Sequence, residues 1–378
     1  MEIAVVGAGI VGASCAYYLS LRGVRVRVFE QAGIPASGST ARSAAGIRHQ
    51  FSHPENVRMS LYSASVFSDF TRLTSHHAGY RKVGYLFLLP RYEFETWKKQ
   101  RDMQRELGAR VELLSLSALR HKFAFIDTQG LWGASYGPDD GIVDPHGITT
   151  GFLSVARKHG AILHLSTEVL QLDWHHGCWH LDTNQGVYRA DGIVNAAGPF
   201  AAELAKRAAC QIPVAPYRRN VYLTAPVENF PHPSPLIIDT ASGLYLRSEG
   251  KRFLLGLSNP EEPSSTSLAV DWDWLESTLE PALRRFPFLS DATLDRDACW
   301  AGLYAITPDH HPILGRMPGL ESFFNACGFS GHGVQHAPAT GLILSEEILD
   351  GEAHSFDISA YRYQRFAVAN RTVETNIV

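Results

Sequence analysis

The chain opens on an unbroken apolar run, Ile3-Ala-Val-Val6, then a glycine-punctuated stretch, then apolar positions at helical spacing from Ala13 to Arg22. A run without polar alternation predicts a parallel strand covered on both faces. Gly23 is a residue type that ends helices, and Val24-Arg-Val-Arg-Val-Phe29 predicts a second strand, ending at Glu30. Strand, turn, helix and strand make a βαβ unit of about 30 residues.

Further along, Val83 to Leu89 predicts a strand and Phe94 to Leu107 a helix with a polar face. Ile148 to Lys158 predicts a helix, Ala161 to Leu165 a strand, and Val169 to Tyr188 a short β meander. Gly192-Ile-Val-Asn-Ala-Ala-Gly198 repeats the opening pattern of apolar strand into glycine turn. Strand-like runs alternate with turn residues from Tyr217 to Ser258; a loop covers Asn259 to Ser265, and Trp272 to Phe286 predicts a helix. Phe323 to Gly351 is again strand, glycine-rich turn and helix. The simplest organisation is a nucleotide-binding domain of residues 1–80, 140–212 and 298–378. Two insertions, 81–139 and 213–297, form a second, substrate-binding domain.

Composition narrows the class. A chain of 378 residues suggests two or three domains and can bury a large core without a disulfide or metal staple. Charged residues are only 19% and hydrophobic ones 45%, which excludes a disordered chain. With 34 Lys+Arg against 38 Asp+Glu and no basic run longer than two, nucleic acid is not an expected ligand. Five scattered cysteines (Cys15, Cys178, Cys210, Cys299 and Cys327) without a Cys-x-x-Cys fit a reducing cytoplasm. The apolar opening lacks a basic start and is broken by glycines, unlike a signal peptide. No stretch reaches the roughly 18 apolar residues that a transmembrane segment requires.

Gly7-Ala-Gly-Ile-Val-Gly12 follows a strand and opens a helix, and an acid, Glu30, stands eighteen residues after Gly12. This is the context a dinucleotide fingerprint needs. Gly7 permits the tight turn, Gly9 lets the backbone approach a pyrophosphate, and Gly12 lets helix and strand pack closely. N–H groups at the helix start, over Gly9, Ile10 and Val11, then face the phosphates. Glu30 would accept from an adenosine ribose, and its charge disfavours a 2′-phosphate. The fingerprint alone does not separate NAD from FAD.

Four segments carry a wider likeness. They are Val5 to Glu30; Gly38 to Phe51, which ends Gly46-Ile-Arg-His-Gln-Phe51; Val194-Asn-Ala-Ala-Gly-Pro199; and Ala301-Gly-Leu-Tyr-Ala-Ile-Thr-Pro-Asp309 followed by Gly328-Phe-Ser-Gly-His-Gly333. In these the chain resembles the FAD-dependent amino acid and amine oxidoreductases of the D-amino acid oxidase, glycine oxidase and sarcosine oxidase superfamily. Gly46 to Phe51 looks most like the β subunits of sarcosine oxidase and of L-proline dehydrogenases. The resemblance implies an α/β fold: a Rossmann-like FAD-binding domain with a β-sheet-based α+β second domain. It also implies non-covalent FAD and removal of hydride from a carbon bearing a neutral amine to flavin N5, the resulting imine being hydrolysed by water.

Carried over residue by residue, the resemblance sets Ser39, Thr40, Arg42 and Ser43 against the pyrophosphate and flavin, and Ala45 and Gly46 along the isoalloxazine. Gln31 and Val169 fall at the nucleotide end, and Ala197 and Gly198 at the second strand–turn approach. Gly302 and Tyr304 belong to the Tyr-x-x-Thr-Pro-Asp segment. Gly331, His332, Gly333, Val334 and Gln335 wrap the pyrimidine edge, and a helix from about Ala337, with Pro338 in its first turn, points its positive end there. Arg48 matches the arginine that holds a substrate carboxylate, since a fork of N–H donors suits that group. Gln335 stands where a lysine usually assists it. Tyr245 matches a substrate-facing tyrosine, and Arg247 is a further anchor candidate.

Two departures bear on chemistry. Gly302 occupies the position of the cysteine that attaches FAD in monomeric sarcosine oxidases, which excludes attachment there. Leu254 replaces a lysine that activates oxygen, which tilts the reading from oxidase toward a dehydrogenase serving a separate electron acceptor. The likeness to β subunits makes a partner subunit, or a homo- or hetero-oligomer, compatible with the sequence. A noncatalytic flavoprotein subunit or assembly factor is the rival reading. His175-His176-Gly-Cys178-Trp-His180 lies in the meander and predicts no metal site; His310 and His311 are expected near the cofactor. Without a GxSxG elbow, hydrolase chemistry has no support.

Overall fold

The computed structural model describes residues 1–228, 230, 233–368 and 371–377. Residues 229, 231 and 232 of the Tyr217–Ser258 stretch, and 369, 370 and 378 of the last segment, lie outside the described residues.

A six-stranded sheet runs in the order Ile313–Arg316, Phe323–Cys327, Gly192–Asn195, Glu2–Val6, Arg25–Phe29 and Ile162–His164. All neighbours pair in parallel except the edge strand Ile313–Arg316. The opening strand shows why its sequence is apolar throughout. Ile3 and Val5 face a core built with the helices Ile10–Leu21, Pro145–Lys158 and Gly333–Leu349. Ala4 and Val6 face the opposite way, onto Leu172, Trp179 and Leu181 of the three-stranded meander. Each large aliphatic side chain so buried contributes roughly 1.5–3 kcal/mol.

Local signals set the helix ends. Asp144 caps Pro145–Lys158 by accepting from the His146 N–H, with Pro145 in the first turn and Arg157 and Lys158 in the last. The helix after the last glycine loop begins at Gly333, not at about Ala337, so Pro338 is interior rather than in the first turn. Pro338 cannot donate to the Val334 carbonyl. The helix persists through it because it packs along Ile10–Leu21, where Gly341 leaves room for Ser14 and Tyr18.

The second sheet has eight strands, in the order Trp300–Ile306, Ala215–Leu223, Arg252–Gly256, Leu244–Glu249, Leu236–Asp239, Tyr85–Pro90, Leu131–Gly137 and Glu112–Ser115. Tyr85–Pro90 and Leu236–Asp239 pair in parallel although each comes from a different insertion. Trp300–Ile306, grouped with the nucleotide-binding segments by sequence, pairs along Ala215–Val221 as the edge of this sheet. Leu275–Arg285 covers the sheet, starting three residues later than the sequence suggests, because Asp271 first accepts from the N–H groups of Asp273 and Trp274 and fixes a turn. No helix among the described residues is long and apolar enough to cross a membrane.

Candidate active-site cleft

The two sheets enclose one long cleft of about 680 Å³. Its first wall is the opening βα turn. Gly7 has φ +110°, and a Cβ there would lie 2.3 Å from the Ala196 carbonyl oxygen, a clash no side chain survives. Gly12 does not line the cleft; a Cβ on it would meet the Gly7 carbonyl oxygen at 1.9 Å, so its role is close packing of helix on strand. Gly9, Ile10 and Val11 line the cleft. The Ile10 N–H donates to Thr40 Oγ1, and the helical ladder begins only with Ala13 donating to Gly9. Of the first-turn N–H groups without a helical partner, that of Val11 belongs to a residue lining the cleft and is left for an anion at this helix end.

Glu30 and Gln31 follow at the strand end, with Val169, Ala197 and Gly198 opposite. The Glu30 carboxylate accepts from the Ala8 and Ala32 N–H groups, which fixes its orientation at the cleft wall.

Residues 37–46 form the floor. Ser39, Thr40, Arg42, Ser43, Ala45 and Gly46 all line the cleft. Ser39 donates to the Leu303 carbonyl, and Arg42 binds the Ser37 and Gly38 carbonyls, so the loop is closed on itself and on the second sheet. Ala45 has φ +60°, held by its N–H to Ser43 Oγ and by its carbonyl to Val143. Gly46 is packed between Leu236 and Tyr85, where a Cβ would come within 3.0 and 3.1 Å.

Arg48 and Tyr245 reach the same cleft, with Tyr85, Tyr304 and Gln335. Tyr245 lies across Gly256 of the neighbouring strand, and Tyr304 across Gly331. Burial raises the pKa of both phenols, so they remain neutral. Arg48 is only 3% exposed. It donates to the Gln50 carbonyl at 2.8 Å and to the Asn376 carbonyl, and its guanidinium lies 4.0 Å from the Phe51 ring centre. Gln335 Oε1 accepts from the Arg48 N–H. Arg48 Nη2 also lies 3.3 Å from His332 Nε2. Burial, then the Arg48 charge, holds the His332 pKa well below its ordinary value. A guanidinium only donates, so Nε2 is the acceptor and the proton sits on Nδ1.

Arg247 does not line the cleft; it donates to the Ala44 carbonyl at 2.9 Å and pairs with Glu249, bracing the floor loop from behind. Tyr245 and Arg247, two residues apart on one strand, share a face of the sheet; Tyr245 reaches the cleft, whereas Arg247 is taken up by Ala44 and Glu249. His310 and His311 likewise do not line the cleft. His311 instead packs on His53 and Tyr361. His175 and His180 stack at 3.7 Å on the meander, and no metal-holding group of three His, Cys, Asp or Glu occurs among the described residues.

Sequence reasoning missed three features. Arg219 lines the cleft beside Tyr304; its neighbour Arg218 carries the same local signal and does not. Tyr85, from the first insertion, stands against Gly46. The C-terminal residues Glu374 and Asn376 close over Arg48 and Ser52.

Residues 2–347 match the family model described as FAD dependent oxidoreductase. The chain belongs to that family. FAD dependent oxidoreductases of similar sequence include FAD-dependent oxidoreductase domain-containing protein 1 of Xenopus laevis, 31% identical over all of this chain and 85% of that one. The mitochondrial dimethylglycine dehydrogenase of Mus musculus is 27% identical over 93% of this chain but 42% of its own length. Among solved structures, L-proline dehydrogenase from P. horikoshii superposes with a TM-score of 0.89 at 31% identity, covering 97% of both chains. FAD is the cofactor of this FAD dependent oxidoreductase. The helix start at Gly9, Ile10 and Val11, the fixed Glu30 carboxylate and the side-chain-poor floor at Ala45 and Gly46 fit a long dinucleotide with a planar ring.

Proposed function

We propose that this protein oxidises the C–N bond of an amino acid or N-substituted amino acid. The observation that carries the reading is the meeting of Tyr85, Tyr245, Tyr304 and two arginines, Arg48 and Arg219, in the cleft whose floor is Ala45 and Gly46. Cations set among neutral phenols suit a small anionic substrate with a short apolar body. The likeness to L-proline and dimethylglycine dehydrogenases supports the same substrate class.

Bound FAD supplies the acceptor for a hydride lost from carbon next to nitrogen. The protein's part is to hold both partners. Gly9, Ile10 and Val11, with Thr40 behind them, would take the pyrophosphate, and Glu30 the ribose. Ser39, Arg42 and Ser43 shape the floor, with Ala45 and Gly46 beneath the ring. Gly331 to Gln335, at the start of a seventeen-residue helix, would stabilise negative charge on the reduced ring. No cysteine lines the cleft among the described residues, so a thioether link to the flavin has no candidate there.

A dehydrogenase is favoured over an oxidase. Leu254 is fully buried in an apolar cluster with Ala44 and Tyr245, and no lysine lines the cleft among the described residues. A fixed positive charge that would stabilise reduced oxygen is therefore not supplied by a lysine. The test is turnover of an amino acid panel in air, with and without an artificial electron acceptor, measuring acceptor reduction, peroxide and released amine. Acceptor-dependent turnover with little peroxide is expected. A fully flavinated protein that turns over none of the panel would remove the reading.

A further inference from the structure

Arg218 and Arg219 are adjacent on one strand, so the pleat sends their side chains to opposite faces. Arg218 is neutralised: its guanidinium pairs with Glu262 at 3.0 Å and Asp271 at 3.0 Å, and also donates to the Ala269 carbonyl. Arg219 is not. Among the described residues no carboxylate pairs with it. Its Nη1 donates to the Arg218 carbonyl, and its Nε is buried without a partner. The guanidinium lines the cleft 5.4 Å from the Tyr304 ring centre. Burying part of a cation without a counterion is unfavourable unless an anion arrives to share it.

Arg48 differs in this respect. Its donors are already directed at the Gln50 and Asn376 carbonyls and at His332. Among the described residues Nε and Nη2, one edge of the Arg219 guanidinium, have no hydrogen-bond partner, although Nε is buried. A small turn of the side chain toward the cleft it lines would present that edge as a two-point grip on a carboxylate. The apolar Val221, Leu236 and Leu268 line the same cleft, and the acids that line it, Glu30, Glu168 and Glu203, come with the nucleotide-binding segments.

We propose that Arg219 is the residue that binds the substrate carboxylate, while Arg48 is a positioning residue that fixes Gln335, His332 and the C-terminal segment. This deepens the amino acid reading above and rests on it. The grip requires no movement of Arg48 from its carbonyl partners. It makes a carboxylate, rather than the amine, the feature by which the cleft selects its substrate.

The experiment is titration of the FAD-loaded protein with acetate, benzoate and the uncharged benzamide, following the flavin absorbance. The wild type is expected to respond to at least one carboxylate and to benzamide at least tenfold more weakly. Arg219→Gln should weaken carboxylate binding tenfold or more, with flavin content and benzamide response retained, and Arg219→Lys should recover part of the loss. Carboxylate binding unchanged in Arg219→Gln, or absent from the wild type, would overturn the proposal. Flavin reduction by amino acids separates the two levels. If Arg219→Gln is reduced with an unchanged KM, the anchor assignment falls and the functional reading stands. If no amino acid reduces the wild type while carboxylates still bind through Arg219, the functional reading falls and the anion site stands.

Discussion

The guanidinium of Arg48 donates to the main-chain carbonyl of Asn376, 328 residues later in the chain. The bond is part of a buried latch. The Glu374 carboxylate accepts from the Ser52 N–H and hydroxyl, the His53 N–H and the Asn56 amide. Burial opposes its charge, but the Ser52 and Asn56 hydrogen bonds and the Arg48 charge outweigh that and hold its pKa below the ordinary glutamate value. Glu374 and Asn376 thereby fix the segment that carries Arg48 to the cleft.

Glu374→Ala should therefore destabilise the protein by about 3 kcal/mol, because several buried donors lose their acceptor together. The urea midpoint checks this, and Arg48→Met should lose part of the same stability. An unchanged midpoint in Glu374→Ala would show that the latch contributes nothing.

Acid should destabilise the fold beginning near neutral pH. Burial, then His53, lowers the His311 pKa to about 4. Burial, then Arg48, lowers that of His336 to about 3. The unfolded chain binds protons at about 6.5 that the folded chain refuses, so stability rises with pH between the folded and unfolded values. It is lost as pH falls from about 6.5 toward 4 and 3, by up to about 1.4 kcal/mol per pH unit for each histidine. The His336 ring is fully buried and packs on Phe51. His336→Phe should flatten the dependence of melting temperature on pH between 7 and 5; an unaltered slope would exclude His336 as a contributor.

Gly331→Ala should damage the site rather than the fold. The residue has φ +95°, and the new Cβ would meet the Tyr304 ring at 2.6 Å. The strain is roughly 1–3 kcal/mol and falls on Tyr304 and the loop before Gly333. Flavin content and kcat/KM should fall, the latter roughly tenfold or more, with little change in far-ultraviolet circular dichroism.

Glu30→Ala removes the acceptor for two main-chain N–H groups and the charge at the strand end. FAD should dissociate roughly tenfold more readily, measured as free flavin after ultrafiltration. Retention equal to the wild type would place the ribose elsewhere.

Much of this was legible in the chain because the signals are local. The apolar run at Ile3 to Val6, the glycines at 7, 9 and 12 and the acid at 30 specify a turn and its neighbours within 30 residues or so. What was not legible depends on register and distant pairing. Arg218 and Arg219 are indistinguishable until the strand's pleat is placed against Trp300–Ile306. Arg247 looked equivalent to Tyr245 as a site residue, yet Ala44 and Glu249 claim it. The helix start at Gly333 was hidden because Pro338 is a first-turn residue by propensity, and packing against Ile10–Leu21 overrides that preference. Nothing in residues 371–377 announces that they return to Arg48.

The most direct test is to mix the purified, FAD-loaded protein anaerobically with single amino acids and N-methyl amino acids and record the flavin spectrum. The account predicts bleaching of the oxidised flavin band by one member or a small group, and loss of that response when the carboxylate is replaced by an amide. A flavin that stays oxidised with every compound, in a protein that retains FAD, would contradict it.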